Sequence, residues 1–173
     1  MKKITLPLTK QDITALKVGD CVLISGTVLT ARDNAHKKIF ELLDKNKKLP
    51  IEIKDSVIYY AGPCPAKPEM ASGSCGPTTS SRMNSYAPRL LDLGLGAIIG
   101  KGEMSEEVRS AIKRNKSVYF SAIGGAGALY SNCIKRSECI AFADLLSEAI
   151  YKLEVVDFPA VIAYDCLGGS IYI

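Results

Sequence analysis

Three cationic segments of the sequence have the composition of an anion-binding site. They are Arg32 together with His36, the hydroxyl-rich run at residues 78–82 that ends in an arginine, and Lys101 between two glycines. Each follows an apolar segment or a Gly-Pro turn, and ligands of α/β proteins gather at strand ends and helix N-termini. Arginine binds a carboxylate through two parallel hydrogen bonds, and lysine adds a point charge. These segments therefore predict a cleft for a small polyanion such as a dicarboxylate.

Other kinds of site find less support in the sequence. Gly76-Pro77-Thr78-Thr79 lacks the spacing of a phosphate loop, and the glycines at residues 124–127 lack that of a dinucleotide fingerprint. We interpret the second stretch as a loop that lets two backbones approach closely. No Ser-His-acid triad or suggestive carboxylate pair is visible, and the six cysteines contain no Cys-x-x-Cys pair. We therefore predict no metal ligands in this chain, and an electrophile supplied from elsewhere if the protein is an enzyme.

Structural roles are the alternative for each of these residues. Arg32 could form a surface ion pair with a neighbouring acid, Arg82 could pair locally at a helix end, and Lys101 could be a turn residue. One of the hydroxyls at residues 78–81 should cap the following helix. We place His36 on the polar side of its predicted helix, where it would line the substrate site.

Strands and helices alternate around these segments. Apolar runs predict strands at residues 21–29, with a bulge at Gly26, and at 57–61, 97–100 and 118–122. Helices are predicted from the Thr30 to Asp33 region to residue 43, and at 86–93, 105–115 and, as a helical stretch, 129–149. Three short strands, at 151–155, 161–164 and 170–172, close the chain. This order predicts a single α/β domain over residues 1–173 with a mixed sheet.

Composition excludes several classes of protein. The chain has 173 residues, 47% of them hydrophobic and 23% charged, which is the globular range. The net charge of +4 is scattered and is accompanied by no aromatic platform, so we expect no nucleic-acid binding. Lys10-Gln11-Asp12 interrupts the N-terminal region before an apolar core of a signal peptide can form, and no apolar run could span a membrane. We expect a cytoplasmic protein.

Five segments also resemble one family, in the same order along the chain. The chain is similar to the β subunit of the two-subunit class I (iron–sulfur) fumarate hydratases and L(+)-tartrate dehydratases, which corresponds to the C-terminal domain of the single-chain enzymes. The matching segments are Thr30-Ala31-Arg32-Asp33-x-Ala35-His36-Lys37, Tyr60-x-Gly62-Pro63, Gly76-Pro77-Thr78-Thr79-Ser80-Ser81-Arg82-Met83, Gly100-Lys101-Gly102 and Glu154-Val155-x-Asp157-Phe158-Pro159-Ala160.

The resemblance implies a swivelling β/β/α fold and hydro-lyase chemistry. The reaction would be L-malate to fumarate and water, or L-tartrate to oxaloacetate and water. It implies a 4Fe-4S cluster that is ligated by a partner α subunit and not by this chain. The implied assembly is an α2β2-like hetero-oligomer, with a homodimer as the alternative for the isolated chain.

The resemblance also assigns roles to individual residues. Arg32, Arg82 and Lys101 would hold the substrate carboxylates, with His36 in the same motif lining the site. Thr78 would be the base that removes the proton next to a carboxylate, after activation by neighbouring groups.

One departure leaves the substrate open. Many family members have Met-Asp after the arginine, whereas this chain has Met83-Asn84. An asparagine keeps a hydrogen bond but drops the charge. The alternative function is a non-catalytic small-anion-binding or regulatory module of the same fold. A neighbouring gene for a three-cysteine α subunit would favour the enzyme.

Overall fold

The computed structural model describes residues 1–172, in which seven strands and five α-helices are found. The strands are β1 (Lys2–Thr5), β2 (Cys21–Thr30), β3 (Val57–Tyr59), β4 (Ala97–Gly100), β5 (Val118–Ser121), β6 (Ile134–Ala141) and β7 (Ile150–Tyr164). The helices are α1 (Lys10–Ala15), α2 (Asp33–Asp44), α3 (Ala87–Asp92), α4 (Glu106–Asn115) and α5 (Gly127–Cys133), with 3₁₀ turns at Ser80–Met83 and Ala143–Glu148. None of these helices has the length and apolar character needed to cross a membrane.

Strand pairing forms a mixed sheet that closes on itself. β2, β3, β4 and β5 are parallel neighbours in that order. β7 then pairs antiparallel with both β5 and β2, so five strands form a ring. β1 joins β2 in parallel and β6 joins β7 in antiparallel fashion, both outside the ring. The predicted α/β class with a mixed sheet is confirmed.

The parallel strands are buried on both faces, which explains their continuous apolar character. Val57 and Tyr59 face an inner core shared with β2 and β7. Ile58 and Tyr60 face a second core, which is completed by apolar residues of α2, α3 and α4. The layers are therefore strands, strands and helices, as the predicted β/β/α arrangement requires.

The bulge predicted at Gly26 is confirmed, because the pairing of β2 with β7 shifts register between Ile24 and Gly26. Gly26 has φ +127°, and a side chain there would meet Leu6. The glycine thus lets the segment after β1 pack closely against β2.

Two predictions at the end of the chain are wrong. Residues 129–149 are not one helical stretch, because α5 ends at Cys133 and β6 follows immediately. The strands predicted at 151–155 and 161–164 are one continuous strand, β7, and the strand predicted at 170–172 is reduced to an isolated bridge between Tyr164 and Ser170. Pairing with β7 holds β6 extended, since a half-exposed strand gains its hydrogen bonds only from its neighbour.

Candidate active site

The carboxyl ends of three neighbouring strands bring the predicted cations to one edge of the sheet. β2 ends two residues before Arg32, β3 leads into the loop that contains Thr78 and Arg82, and β4 ends directly before Lys101. Because these strands are parallel neighbours, their ends lie side by side. Thr79 forms a parallel bridge with Lys101, which fixes the loop against the end of β4.

Arg82 connects two of the predicted segments. Its Nη2 lies 3.1 Å from Oδ2 of Asp33, the first residue of α2, and it also donates a hydrogen bond to Oγ1 of Thr78. The side chains of Arg82 and Asp33 are 45% and 40% exposed, so the guanidinium remains accessible to an anion. The structure therefore brings together the predicted base and one predicted carboxylate-binding cation.

The backbone around Thr78 is held by the two residues that follow β3. The Thr78 N–H donates to the Tyr60 carbonyl oxygen at 2.7 Å, and Ala61 forms an antiparallel bridge with Pro77. Since Arg82 donates to Oγ1, the hydroxyl proton of Thr78 is free to point elsewhere. A guanidinium at this oxygen favours negative charge on it, which is the form a proton acceptor needs.

Arg32 lies in the turn between β2 and α2, as the N-cap residue of the helix. Its side chain runs past Gly62, where an added Cβ would come within 2.9 Å of Arg32 Nη1 and 2.7 Å of the Ser147 carbonyl oxygen. The Nε of Arg32 is buried and has no hydrogen-bond partner among the described residues. Gly62 thus leaves just enough room for the guanidinium beside the loop.

Lys101 is held through its backbone by Ser80. The Lys101 N–H donates to Ser80 Oγ at 2.8 Å, and the Ser80 N–H donates to the Lys101 carbonyl oxygen at 2.9 Å. A Cβ on Gly100 would overlap Ser80 Oγ, so only glycine fits there. The aliphatic stem of Lys101 lies against Gly124. The close backbone approach predicted for this glycine-rich loop is found at Gly127, where an added Cβ would lie 3.1 Å from the Gly76 backbone nitrogen.

Sequence reasoning missed the support that Tyr119 gives to this arrangement. The Tyr119 hydroxyl donates to the Gly102 carbonyl oxygen at 2.7 Å and lies 3.0 Å from Ser80 Oγ. Tyr119 is fully buried, and burial raises the pKa of its hydroxyl far above the ordinary value. The sequence carries no signal for this role, because Tyr119 lies within an apolar strand.

His36 is not on the polar side of α2 as predicted. Its side chain is completely buried, with the ring centroid 5.3 Å from that of Tyr60 and 5.4 Å from that of Tyr86. Its Nδ1 lies 2.8 Å from the Arg32 carbonyl oxygen. Burial lowers the pKa of His36 to about 4, so the ring is neutral near pH 7.

Asn84 has a structural partner at the start of α4. Its Oδ1 accepts a hydrogen bond from the Ser105 N–H at 3.2 Å, and Ser105 is the N-cap residue of that helix. An aspartate at this position would accept the same bond and would suit the positive end of the helix.

The cysteines of this chain do not form a cluster site in the described structure. Cys64 is exposed and Cys75 is buried, and burial raises the pKa of the Cys75 thiol to about 12. Iron–sulfur clusters are ligated by thiolates, which this environment disfavours. Within residues 1–172 no three His, Cys, Asp or Glu side chains come together in a way that could hold a metal ion. This donor set therefore does not fit the ligation of an iron–sulfur cluster by the chain itself.

The sequence matches the model of one protein family and is similar to several relatives. The family described as Fumarase C-terminus matches residues 1–173. The "Putative L(+)-tartrate dehydratase subunit beta" of Methanocaldococcus jannaschii is 44% identical over 171 residues, covering 95% of this chain and 88% of that protein. "Fumarate hydratase 2" of Leishmania major is 42% identical, covering 94% of this chain and 29% of that protein. "Fumarate hydratase class I, anaerobic" of Escherichia coli is 40% identical, covering 99% of this chain and 31% of that protein.

The chain thus spans most of the Methanocaldococcus relative but less than a third of the two fumarate hydratases. The names of all three relatives describe hydro-lyases or a subunit of one. With the whole of residues 1–173 matched, the chain belongs to the fumarase C-terminus family.

Proposed function

We propose that this chain is the β-type subunit of an iron–sulfur hydro-lyase that reversibly dehydrates a 2-hydroxy dicarboxylate. The observation that carries the proposal is the contact of Arg82 with Thr78 at the edge where β2, β3 and β4 end. This contact places a candidate anion-binding cation, Arg82, beside a candidate base, Thr78, at neighbouring strand ends. The names of the relatives support the same reaction class.

Substrate binding is assigned to the three cations. Arg32 and Arg82 each offer a planar fork of donors that suits a carboxylate, and Lys101 offers a flexible ammonium. Two carboxylates at the ends of one small molecule could be shared among three cations from adjacent strand ends. The roles of these side chains follow from their chemistry and from the family resemblance.

Proton removal is assigned to Thr78. A threonine hydroxyl is a weak base, so the cost of its charged form must be reduced by its surroundings. The Arg82 guanidinium donates to Oγ1 and is already in place to do so, because the same Nη2 nitrogen is also paired with Asp33. The resulting proposal is that Arg82 both binds a carboxylate and activates the base.

The electrophile that accepts the departing hydroxyl is assigned to a partner chain. We infer an α-type subunit that holds the 4Fe-4S cluster, because the name of the Methanocaldococcus relative denotes one subunit of a larger enzyme. Malate and tartrate both satisfy the chemistry of the site. A panel of hydroxy acids on the assembled complex would distinguish them.

Removing the guanidinium of Arg82 tests the proposal. The complex of this chain with an α-type partner, assembled anaerobically with iron and sulfide, should dehydrate malate or tartrate. Arg82→Ala should lower kcat/KM by more than about tenfold, since a charge-assisted contact contributes roughly 2–3 kcal/mol.

Arg114→Ala is the matched control. Arg114 also pairs with an aspartate, Asp92, and its side chain is 48% exposed, but it lies at the end of α4. Its loss should leave kcat/KM unchanged. A decrease in kcat/KM of no more than about threefold in Arg82→Ala would refute the assignment of Arg82 to the active site. Dicarboxylate binding by the isolated chain, with no turnover in any complex, would instead favour the anion-binding module.

A further inference from the structure

The hydrogen bond between His36 and Arg32 fixes the tautomer of the only histidine in the chain. A carbonyl oxygen can only accept, so Nδ1 of His36 must carry the proton. In the neutral ring Nε2 is then unprotonated. Nε2 is buried and has no hydrogen-bond partner among the described residues. The ring therefore has one assigned donor and does not reach the solvent.

The same carbonyl oxygen also accepts the backbone N–H of His36, at 2.9 Å. Arg32 is the N-cap of α2 in an extended conformation, with φ −120° and ψ −164°, and its own side chain does not cap the helix. Tyr60, directly after β3, and Tyr86, directly before α3, enclose the imidazole. His36 is thus a rigid donor that holds the turn from which the Arg32 side chain departs.

We propose that His36 is a positioning residue for Arg32 and not a ligand of the substrate. Its Nδ1–H orients the peptide at the strand end, and through it the direction of the Arg32 guanidinium. This inference rests on the proposed function, because it assumes that Arg32 binds a substrate carboxylate. It replaces the substrate-lining role that the sequence predicts for His36.

Nitrogen NMR of the full chain tests the geometry without any need for activity. A single histidine gives a single set of ring nitrogen signals, which identify the tautomer. We expect the Nδ1–H tautomer, unchanged from pH 8 to pH 5.5. The titratable or charged groups around the ring are Arg32 and Asp33 on its own segment, Tyr60 directly after β3, and Tyr86. An Nε2–H tautomer, or a titration near the ordinary pKa of histidine, would overturn the proposal.

Two isosteric variants test the role in the complex. The amide nitrogen of an asparagine lies at the same distance along the side chain as Nδ1, whereas that of a glutamine corresponds to Nε2. His36→Asn should therefore keep the bond to the Arg32 carbonyl and leave KM close to that of the unmutated complex. His36→Gln should raise KM about fivefold to tenfold, with a smaller change in kcat, because a carboxylate-binding contact is misplaced.

The opposite order, with His36→Gln tolerated and His36→Asn impaired, would assign the function to Nε2 and refute the proposal. Equal values of KM for both variants would also refute it, because they would reduce His36 to a packing residue. A complex in which even the unmutated chain shows no turnover would instead count against the proposed function. The NMR result would then still decide the tautomer and the burial of the ring.

Discussion

Lowering the pH from 7 to 5 should destabilise the native protein through one side chain, His36. The unfolded chain takes up a proton at this residue near the ordinary pKa of 6.5. In the native state complete burial lowers the pKa to about 4, against smaller opposing effects of the Arg32 carbonyl and Asp33. Between these two values the unfolded state binds more protons, so stability is full above pH 6.5 and falls as the pH is lowered.

The size of the effect follows from the two pKa values. The difference between the two pKa values lowers the free energy of unfolding by about 2 kcal/mol between pH 7 and pH 5, and by about 3 kcal/mol between pH 7 and pH 4. Carboxylates whose pKa is lowered in the native state keep their stabilising effect at pH values well above the ordinary 3.8, and lose it only as the pH falls to that value and below. The interval from pH 7 to pH 5 therefore isolates the histidine.

Urea denaturation at several pH values measures this dependence. The chain has no tryptophan, so circular dichroism is a suitable signal. His36→Asn is the control, because asparagine does not titrate and can keep the bond to the Arg32 carbonyl. The free energy of unfolding of this variant should be nearly constant from pH 7 to pH 5, whatever its absolute value. The same pH dependence in both proteins, or a flat profile in the unmutated one, would refute a buried neutral His36.

Three further predictions concern the residues that support the site. Gly100→Ala should lower the free energy of unfolding, measured by urea denaturation, by about 1–3 kcal/mol and should weaken substrate binding, because the new methyl group overlaps the Ser80 hydroxyl. The double variant with Ser80→Ala should recover part of this stability, because the overlapping hydroxyl is then absent. Tyr119→Phe should lower the free energy of unfolding by about 1 kcal/mol in the same assay, because the partly buried Gly102 carbonyl loses its donor. Asn84→Ala should lower the free energy of unfolding by about 1 kcal/mol, whereas Asn84→Asp should not, because only alanine removes the acceptor at the start of α4; equal losses would contradict this assignment.

The strand ends that hold the candidate site could be predicted because their sequences are locally consistent. β4 and β5 are short apolar runs bounded by glycine and polar residues, and a strand buried on both faces needs just this pattern. The positions of Arg32 and Lys101 at strand ends then follow from the parallel order. Their roles in binding remain predictions.

The errors fall where a remote partner decides the conformation. β6 is half exposed and carries three charged residues, and its extended form depends on pairs such as Glu138 with Lys152 of β7. The break predicted between the strands at 151–155 and 161–164 is absent, because Phe158 and Pro159 pair with β2 inside β7, after a bulge in which Asp157 has φ +51°. His36 was placed on the polar side of α2 from its own helix alone, but tyrosines from elsewhere in the chain bury it.

The closed ring of strands has a consequence for contacts with other proteins. In the described part of the chain only β1 and β6 have unpaired backbone edges. β1 carries Lys2 and Lys3, and β6 carries Lys135, Arg136 and Glu138, all exposed. Charged side chains along an edge discourage a strand of another molecule from extending the sheet. Association with a second chain is therefore directed to helices and loops, among them the loops at the strand ends where Arg82 and Lys101 lie.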